Sequence, residues 1–484
     1  MTFLACLVCK ITFFVLKITG RGGTTLPGRM ALKIKPDILK KLSRNVNIVL
    51  VTGTNGKTTT CRILEQMFID SKKSYFLNKS GANLITGITT SFIMNSSIFG
   101  KCKKENAIIE CDENAFKKVS LYIEPKAVLV TNVFRDQLDR YGEVTHTLGA
   151  IRESISNLNS TTLCLCGDCS LTYSLSKDFA DNENIKVLTY GVNVPFDSEV
   201  SETNVSDAEY CIFCKTKYEY DYHTFGHLGG FKCAKCGYSR VEPDVSVDEI
   251  IAIKADYSEV KLNVFGECFD TRVNVPGTYN IYNAAGAALA LKVLGFEAES
   301  IVKSISEFDC AFGRMERFTY NNHNINMILV KNPAGFTQVT SHLSRIDNDF
   351  AAVFCLNDNA ADGRDVSWIW DVHFHNLLSS PFLKKVYTCG KRAYDMALVL
   401  KYNGYDENKI TVIENEDYDK EIECIIAEDK DVYIVPTYTS MMEQRHKIAA
   451  KFGGKEFWEW ESWIFIIFIP ICSTFTATEV IFYA

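Results

Sequence analysis

A nine-residue run, Thr-Gly-Thr-Asn-Gly-Lys-Thr-Thr-Thr at positions 52–60, constrains the fold of this chain more than any other feature. The apolar segment 46–51 leads into it as a buried strand would, and residues 61–68 have helical periodicity. A strand, a glycine-rich turn and the start of a helix make a phosphate cradle, because backbone N–H groups and the positive helix end face the anion. Lys57 adds a positive charge there, and the hydroxyl of Thr58 can hold Mg²⁺.

The glycines of this loop lie closer together than in the usual nucleotide-binding pattern. The pattern Gly-x-x-x-x-Gly-Lys-Thr would require glycine at position 51, where the chain has Val51. Its two glycines are instead Gly53 and Gly56. The strand and helix on either side still predict that the loop binds the phosphates of ATP. The residues predicted to bind ATP in this loop are Gly53, Thr54, Asn55, Gly56, Lys57, Thr58 and Thr59.

The rest of the chain has the pattern of an α/β protein. Strand-like apolar runs alternate with helical stretches over residues 46–200, which is typical of a parallel sheet. Residues 280–293 are predicted to form an alanine-rich helix, and a second α/β unit is predicted to begin near Arg317. A length of 484 residues is enough for about three domains. The predicted parts are a basic and apolar N-terminal segment (1–45), a central nucleotide-binding domain (46–315), a C-terminal α/β domain (316–458) and an apolar tail (459–484).

Both ends of the chain are unusual in composition. The first 44 residues carry nine Lys or Arg and one acid, Asp37, among apolar residues. This segment is expected either to rest on an anionic membrane surface or to form a helix packed on the body with a solvated basic face. Lys10 and Lys17 interrupt the apolar stretch, which argues against a signal peptide. The apolar tail is just long enough to span a bilayer, although a buried strand or an atypical extension fits it equally well.

Four cysteines predict a structural metal site. Cys211-x-x-Cys214 and Cys233-x-x-Cys236 have nearly the spacing of a zinc ribbon, within an insertion at about 206–240 that is rich in Cys, Tyr, Gly and His. Each pair can direct two thiolates at one Zn²⁺, and four thiolates leave no open position for catalysis. His223 and His227 lie between the pairs as spare candidates and are predicted to be ordinary loop residues. The eighteen cysteines otherwise suggest a reducing cytoplasm, with Cys164, Cys166 and Cys169 as structural residues.

A carboxylate is expected beside the phosphate loop. Glu110 ends the apolar run 107–109, where a strand would emerge near that loop, and Asp112 and Glu113 follow closely. Glu110 and Thr58 are therefore the predicted Mg²⁺ ligands, and Lys57 and Glu110 are predicted to be catalytic.

These motifs resemble those of the Mur ligase superfamily. Its ATP-binding loop is similar to residues 53–59. Residues 131–139 resemble the family's Thr-Asn-x-x-x-Asp-His-Leu-Asp segment, with Gln137 in place of His, so no role of that His can be transferred. Residues 277–284 resemble Gly-x-His-Asn-x-x-Asn-Ala, with Tyr279 in place of His.

The same resemblance assigns three more ATP-site residues. In the family the asparagines of the second motif lie near the nucleotide base, which implies Asn280 and Asn283 here. The segment Gly-Arg-Met-Glu at 313–316 resembles a hinge motif whose arginine reaches the ATP phosphates, which implies Arg314. The implied fold is a Mur ligase-like central domain with an inserted zinc ribbon, followed by a C-terminal Mur ligase domain.

Beyond the hinge, the sequence is similar to one branch, the MurT family. The resemblance rests on residues 331–336, on residues 357–371 and on the cysteine insertion. It implies ATP-dependent amidation of the D-glutamate α-carboxylate in the stem peptide of lipid II, through an acyl phosphate that ammonia attacks. The product would be D-isoglutamine. Such a protein would act in the cytoplasm, with the inner face of the cell membrane as the place where it meets its substrate.

The resemblance also implies a partner. The chain has no nucleophile-elbow glutaminase motif, and the MurT family works with GatD, a class I glutaminase that supplies ammonia. In that family an aspartate of the synthetase's C-terminal domain is proposed to complete the partner's Cys-His pair. Asp358, directly after the predicted strand 351–356, is the first choice here and Asp365 the second. Their structural alternatives are a turn-forming Asp358 and an Asp365 that caps a helix starting near Ser367.

Three other functions remain open on the sequence alone. An amino-acid-adding Mur or folylpolyglutamate ligase is disfavoured by the zinc insertion and by residues 357–371. A zinc-ribbon ATPase that binds nucleic acid would need a basic stripe, and the net charge of −7 argues against it. A catalytically silent scaffold for a glutaminase conflicts with the intact Lys57, Thr58 and Glu110.

Overall fold

The computed structural model describes residues 1–19, 23–78, 82–135, 144–196, 207–254, 256–308, 316–414 and 416–452. The predicted boundary at residue 315 and the predicted tail at 459–484 lie outside the described residues. None of the helices within the described ranges is long and apolar enough to cross a membrane.

Helices and strands alternate through most of the chain, as the sequence predicted. The helices are α1 (Thr2–Ile18), α2 (Thr25–Ile34), α3 (Ile38–Leu42), α4 (Lys57–Asp70), α5 (Ile85–Met94), α6 (Glu113–Val119), α7 (Val144–Ser156), α8 (Ser170–Asp178), α9 (Tyr279–Val293), α10 (Ala298–Glu307), α11 (Pro333–Leu343), α12 (His375–Leu378), α13 (Ala393–Tyr402), α14 (Tyr418–Ala427) and α15 (Tyr438–Phe452), with short 3₁₀ helices at Ser367–Asp371 and Glu407–Lys409. The strands are β1 (Asn47–Thr52), β2 (Tyr75–Leu77), β3 (Asn106–Glu110), β4 (Ala127–Val130), β5 (Thr161–Cys166), β6 (Ile185–Val192), β7 (Glu219–His223), β8 (Gly229–Lys232), β9 (Val245–Ile253), β10 (Ser258–Val264), β11 (Glu267–Val273), β12 (Glu316–Tyr320), β13 (His323–Met327), β14 (Phe350–Cys355), β15 (Leu383–Cys389), β16 (Ile410–Val412) and β17 (Asp431–Pro436).

The first sheet has nine strands in the order β11-β10-β9-β6-β5-β4-β1-β3-β2. Neighbours from β2 to β9 pair in parallel, and β9, β10 and β11 pair antiparallel. β1, β3 and β4 are almost wholly buried, since helices cover both faces of a parallel sheet. The helix α9 is buried along most of its length and packs across β4, β5 and β6. Its alanines and glycine explain how it approaches the sheet closely, and the predicted helix at 280–293 is confirmed.

The second sheet has six strands in the order β12-β13-β17-β14-β15-β16. All of its neighbours pair in parallel except β12 with β13, which form an antiparallel hairpin. The strand β14 is buried at every position and lies between β17 and β15. The second α/β unit predicted to begin near Arg317 is therefore confirmed, with its first strand starting at Glu316.

The N-terminal segment forms helices packed on the body. The helix α1 buries Ala5, Cys6 and Cys9, and Lys10 Nζ donates to the carbonyl oxygen of Ser96 over 2.8 Å. This agrees with the packed-helix alternative as far as the packing is concerned. The outward face of α1 differs from that alternative, because apolar side chains rather than basic ones occupy most of it.

Candidate functional site

Three polar segments meet at the carboxyl edge of the nine-stranded sheet. β1 lies between β3 and β4, with Val51 in register with Glu110 and Thr52 in register with Val130. The phosphate loop after β1 is therefore flanked by Glu110 on one side and by the segment that begins at Thr131 on the other. Ligands of open α/β sheets bind at such carboxyl edges, where connections leave a strand in opposite directions.

Both glycines of the loop are required by their conformation and their surroundings. Gly53 has φ +116° and Gly56 has φ +86°, in the region that disfavours other residues. A Cβ atom on Gly53 would lie 2.4 Å from Thr131 Oγ1, and one on Gly56 would lie 2.1 Å from Asn283 Oδ1. The loop is thus clamped between the end of β4 and the helix α9. This geometry explains why glycine occupies both positions.

Lys57 begins α4 and is buried with a carboxylate partner. Its Nζ donates to the Gly53 carbonyl oxygen and lies 2.8 Å from Glu113 Oε1, with both side chains at most 7% exposed. Burial is the largest influence and opposes the charged ammonium, but the carboxylates of Glu113, Glu110 and Asp112 together outweigh it and raise the pKa of Lys57. Lys57 is therefore a fixed positive charge at the loop. The sequence named Glu113 only as a neighbour of Glu110, and its pairing with Lys57 was not predicted.

Thr58 and Glu110 meet as predicted. Thr58 Oγ1 donates to Glu110 Oε1 over 3.2 Å, across the gap between α4 and the end of β3. Asn78 holds the backbone of Glu110, because its Oδ1 accepts from the Glu110 N–H and its Nδ2 donates to the Glu110 carbonyl. A hydroxyl and a carboxylate oxygen facing each other are suitable ligands for Mg²⁺.

Asp112 caps a helix. Its carboxylate accepts from the backbone N–H groups of Asn114 and Ala115 at 3.0 and 3.1 Å, which caps the start of α6. The cap fixes the first turn of α6, and Glu113 in that turn is thereby aimed at Lys57. The three acids after β3 thus divide into a loop-facing pair and a cap.

The two asparagines of α9 lie against the loop. Asn283 Nδ2 donates to Asn280 Oδ1 over 2.7 Å, and Thr60 Oγ1 donates to Asn283 Oδ1 over 3.4 Å. Asn280 Nδ2 is bonded to the Pro276 carbonyl. Both asparagines are buried, and Asn283 supports Gly56 directly. Their implied position near the nucleotide base stays a prediction.

The C-terminal unit reaches the same loop. Asn332 caps α11 by accepting from the Gly335 N–H, and its Nδ2 donates to Asn55 Oδ1 over 3.0 Å. Lys331 is close enough to Glu113 to interact with its charge. The sequence singled out residues 331–336 only for their resemblance to a family motif. Their contact with the loop needed the three-dimensional structure, because about 275 residues separate the two segments.

The four predicted metal-binding cysteines converge. The Sγ atoms of Cys211, Cys214, Cys233 and Cys236 all lie within 4.8 Å of one another. Two separations are known, 3.6 Å for Cys211–Cys236 and 3.3 Å for Cys214–Cys233. Four thiolates around one Zn²⁺ with bonds of about 2.3 Å would have their sulfurs about 3.8 Å apart, so this donor set fits zinc.

The two halves of this cluster have the same local geometry. Lys215 N–H donates to the Cys211 carbonyl and Gly237 N–H donates to the Cys233 carbonyl, at 2.9 and 3.0 Å. Lys215 and Gly237 both have positive φ, +61° and +73°. A tight turn is therefore present at Gly237, and Lys215 adopts the same turn in the first half.

The two histidines of the insertion lie apart from the cluster. In the described part of the chain, the sulfur cluster consists of the four cysteines alone. His223 ends β7 and stacks on Tyr220 with ring centroids 3.9 Å apart. His227 is fully buried, with Nε2 3.3 Å from Cys169 Sγ. His227 thus lies in the turn between β7 and β8, as predicted for a loop residue, with its side chain buried. The structural role of Cys169 stays a prediction.

The insertion is joined to the nine-stranded sheet through Asp168. This fully buried carboxylate accepts from Arg240 Nε, from Tyr282 Oη and from the Val192 N–H, at 2.6, 2.6 and 2.8 Å. Arg240 belongs to the end of the insertion, and Tyr282 belongs to α9 beside Asn283. The cysteine insertion and the phosphate loop therefore both contact the helix α9.

The two candidate aspartates of the C-terminal unit differ in their surroundings. Asp358 follows β14 and pairs with Arg392, with Oδ2 2.9 Å from Nε and a side chain that is 25% exposed. Asp365 Oδ1 accepts from the Ser367 N–H over 2.8 Å, at the start of the 3₁₀ helix Ser367–Asp371. The contacts from Ser367 lower the pKa of Asp365. Asp365 therefore bonds to the first residue of that helix from one position before its N-cap residue, Val366.

Two further residues that the sequence singled out have no described position. Arg314 and Gln137 lie outside the described part of the chain. The role assigned to Arg314 stays a prediction.

Comparisons with known proteins agree with this geometry. Residues 51–235 match the family model for the Mur ligase middle domain, and residues 329–441 match the model for the MurT ligase C-terminal region. The chain is 33% identical over 455 residues to the Streptococcus pneumoniae protein "Lipid II isoglutaminyl synthase (glutamine-hydrolyzing) subunit MurT", which covers 93% of this chain and 97% of that one.

Solved structures resemble the fold. A pseudomurein peptide ligase type C from Methanothermus fervidus has a TM-score of 0.65 at 18% identity, covering 86% of this chain and 80% of that one. MurF ligase from Thermotoga maritima in complex with ADP has a TM-score of 0.56 at 15% identity, covering 86% and 83%. These likenesses confirm the predicted Mur ligase-type α/β fold.

Proposed function

Because the chain belongs to the MurT family of Mur-type ligases, we propose that it is the synthetase subunit of a lipid II isoglutaminyl synthase. It is an ATP-dependent carbon–nitrogen ligase of peptidoglycan synthesis. Its reaction converts the α-carboxylate of D-glutamate in the lipid II stem peptide to the amide of D-isoglutamine. The observation that carries the proposal is the cluster of Lys57, Glu113, Thr58 and Glu110 around the phosphate loop.

The residues around the loop suit the first half of this reaction. A carboxylate is a poor electrophile, and transfer of the γ-phosphoryl group to one of its oxygens turns it into an acyl phosphate with ADP as the leaving group. Negative charge accumulates on the phosphoryl oxygens during this transfer. Lys57, already held as a cation at the start of α4, lies where it can stabilise that charge. The backbone of residues 53–57 orients the phosphates.

The metal would be held by Thr58 and Glu110. When bound, Mg²⁺ would supply positive charge that offsets the negative charge of the phosphoryl group. MurF ligase from Thermotoga maritima, which has a similar fold, was solved in complex with ADP, and this supports nucleotide binding by this chain. Zn²⁺, bound by Cys211, Cys214, Cys233 and Cys236, would be structural, because four thiolates complete its coordination.

The second half of the reaction needs ammonia and the exclusion of water. Ammonia attacks the acyl carbon, and inorganic phosphate leaves with the carbon–oxygen bond electrons. Water would hydrolyse the same intermediate, so closure of the C-terminal unit over the loop is useful. The contact of Asn332 with Asn55 gives that closure a physical basis.

The ammonia would come from a GatD-type class I glutaminase. We assign Asp358 to the partner's active site, because it emerges from the carboxyl end of β14 with part of its side chain exposed. Asp365 is the second candidate, and its carboxylate already accepts from the backbone at the start of a 3₁₀ helix. The nucleic-acid-binding alternative has no support from this site, in which the described charged groups serve a phosphate loop.

Mass spectrometry of lipid II tests the function. The protein is incubated with lipid II, Mg-ATP and ammonium, and in parallel with glutamine and a GatD-type glutaminase. We expect a decrease of about 1 Da for each hydroxyl replaced by an amine, and loss of at least a hundredfold in rate for Lys57→Ala. Lys186→Ala, an exposed lysine of β6, is the matched control and should keep the full rate.

Three outcomes would contradict the proposal. Amide formation that survives Lys57→Ala would place the chemistry elsewhere. ATP-dependent addition of an amino acid instead of ammonia would assign the chain to the amino-acid-adding ligases. ATP binding without any turnover in either reaction would favour the scaffold alternative.

A further inference from the structure

The N-terminal helix carries an apolar stripe on its solvent side. Five apolar side chains of α1 are between 46% and 70% exposed, and at 100° per residue they fall within an arc of about 100°. Two apolar residues of the neighbouring helix α2, four positions apart, are also exposed. We call this set the N-terminal face; it consists of Leu4, Ile11, Phe14, Val15, Ile18, Leu26 and Met30.

The stripe is held outward by the packing of the opposite side. Ala5, Cys6 and Cys9 are fully buried, so the inner side of α1 is already used by the body. The helix α2 lies on α5 so closely that a Cβ on Gly28 would be 1.8 Å from the Thr86 carbonyl oxygen. Turning α1 to hide its outer side would expose the inner one. The N-terminal face is therefore a permanent surface of the fold, and an apolar stripe of this kind marks an interaction site.

The charge around the face selects its occupant. Residues 1–44 have a net charge of +8, from nine basic residues and one acid, in a chain whose total is −7. Lys17 on α1 and Arg29 and Lys33 on α2 are exposed beside the apolar stripe. At the other end of α1, Phe3 and Phe99 stand 5.9 Å apart between ring centroids, and the loop of Phe99 carries more lysines. An apolar stripe flanked by cations is complementary to anionic headgroups over acyl chains.

We propose that the N-terminal face binds an anionic lipid bilayer, with α1 lying in the plane of the headgroups. Its apolar side chains would enter the boundary between headgroups and acyl chains, and the flanking Lys and Arg would contact lipid phosphates. The helix has 17 residues and contains two lysines, so it lies on the bilayer rather than spanning it. The biological purpose of this surface rests on the proposed function. Membrane binding would bring the chain to the substrate of that reaction, which is anchored in a membrane.

The face is also connected to the catalytic edge. The helix α5, which packs against α2, follows directly on a segment that touches the Mg²⁺-binding side of the site. In that segment the carbonyl oxygen of Asn83 accepts from the Asp112 N–H over 3.1 Å, and the carbonyl oxygen of Ala82 accepts from Asn78 Nδ2. The helix α5 therefore connects the helices of the N-terminal face to the segment beside Glu110.

Co-flotation of the full chain with lipid vesicles tests this surface. Vesicles of phosphatidylglycerol and phosphatidylcholine are compared with vesicles of phosphatidylcholine alone. We expect binding to the anionic vesicles that weakens as salt is raised, and at least a tenfold loss in the variant Ile11→Asn/Phe14→Asn/Ile18→Asn. The control Ile251→Asn/Leu398→Asn replaces exposed apolar residues of β9 and α13, and it should bind like the parent.

The outcomes separate this proposal from the function. A parent chain that binds neither vesicle, or a triple variant that binds like the parent, overturns the lipid surface. The lipid surface is also overturned if the parent self-associates or binds the glutaminase and the triple variant does neither. In that case the N-terminal face binds a protein. Vesicle binding without amide formation would overturn the proposed function alone. Amide formation on lipid II in detergent, unchanged in the triple variant, supports both.

Discussion

Lys57 shows how a charged residue of the site is kept ready in the folded chain. Its ammonium is buried, and a carboxylate from the next strand connection compensates its charge. Removing Glu113 would leave an uncompensated buried charge, which costs far more than loss of a surface ion pair. Positioning of the cation therefore depends on α6 and on its cap at Asp112, and not only on the loop that contains Lys57.

Asp358→Asn should separate the two nitrogen sources. The asparagine amide lacks the negative charge with which a carboxylate would stabilise the protonated histidine of the glutaminase. The substitution leaves the phosphate loop intact. We expect glutamine-driven amide formation to fall at least tenfold, with ammonium-driven formation unchanged. Initial rates with the two nitrogen sources, measured on the same preparation with the GatD-type partner, check this.

Asp365→Asn is the control for that experiment. The asparagine side chain can still accept from the Ser367 N–H, so both rates should stay near those of the parent. Equal losses with glutamine and with ammonium in the Asp358 variant would contradict the assignment, and a selective loss in the Asp365 variant would transfer it to Asp365.

The burial of Glu421 predicts that the free energy of unfolding depends on pH. This carboxyl of α14 is buried among Cys355 of β14, Cys389 of β15 and Gln444 of α15, and burial raises its pKa from 4.5 to about 7. Between those values the folded chain keeps a proton that the unfolded chain releases, so the unfolding free energy falls as pH rises. The full effect is at most about 3 kcal/mol.

Glu421→Gln should remove that dependence. Relative to the parent, the variant should gain thermal stability as pH is raised from 5 to 8, which differential scanning calorimetry at several pH values measures. Glu423→Gln, an exposed position on the same helix, should show a difference that does not vary with pH. A constant difference for both variants would mean that Glu421 does not titrate in this range.

Sequence reasoning found the residues whose neighbours in the chain define them. Lys57, Thr58 and Glu110 follow from a loop, a helix start and a strand end, all of which have local signatures. Glu113 and Asn332 were missed as site residues, because their roles depend on contacts made by folding. No local pattern distinguishes a glutamate that pairs with a buried lysine from one that faces solvent.

At the scale of elements, the cysteine insertion also stabilises the helices α8 and α9. Its small core includes Tyr218, Phe231 and Tyr238, and Tyr238 Oη donates to the Ser170 carbonyl at the start of α8. Arg240 then reaches Asp168, which also holds Tyr282 on α9. The sequence predicted the cysteine cluster from its spacing, but not this connection to α9.

Loss of the proposed Zn²⁺ should therefore weaken ATP binding. In Cys211→Ser we expect zinc content to fall, the melting temperature to drop by several degrees and the Kd for ATP to rise several-fold, since Asn283 on α9 supports Gly56. Zinc analysis, differential scanning fluorimetry and calorimetric titration measure the three quantities. Cys268→Ser, at an exposed cysteine of β11, should change none of them. A zinc-free variant that keeps parental ATP affinity would refute the coupling.

At the scale of the whole molecule, Asn332 links the two sheets. It caps α11 and also touches the phosphate loop through Asn55, so Asn332→Ala removes both contacts. We expect a stability loss of about 1 kcal/mol from the cap. We also expect a several-fold rise in the KM for ATP in the amide-forming reaction, because closure over the loop is weaker.

Asp417→Ala provides the comparison. Asp417 caps α14 in the same unit by accepting from the Lys420 N–H, and it lies in another part of that unit. The two variants should lose similar stability, and only the Asn332 variant should change the KM. Parallel changes in both would mean that the effect on ATP is a general consequence of destabilisation.

The order of strands in the second sheet has a consequence for how the chain is made. β17 (Asp431–Pro436) lies between β13 and β14, so the middle of that sheet is supplied by its last strand. A ribosome releases residues in order, and until β17 emerges the β12–β13 hairpin and β14 each present an unpaired edge. The nine-stranded sheet contains no such late strand, since residues 47–273 provide all of it. During translation the ATP-binding half can thus be complete while the other half is still open, and premature termination before residue 431 should yield chains that need a chaperone to stay in solution.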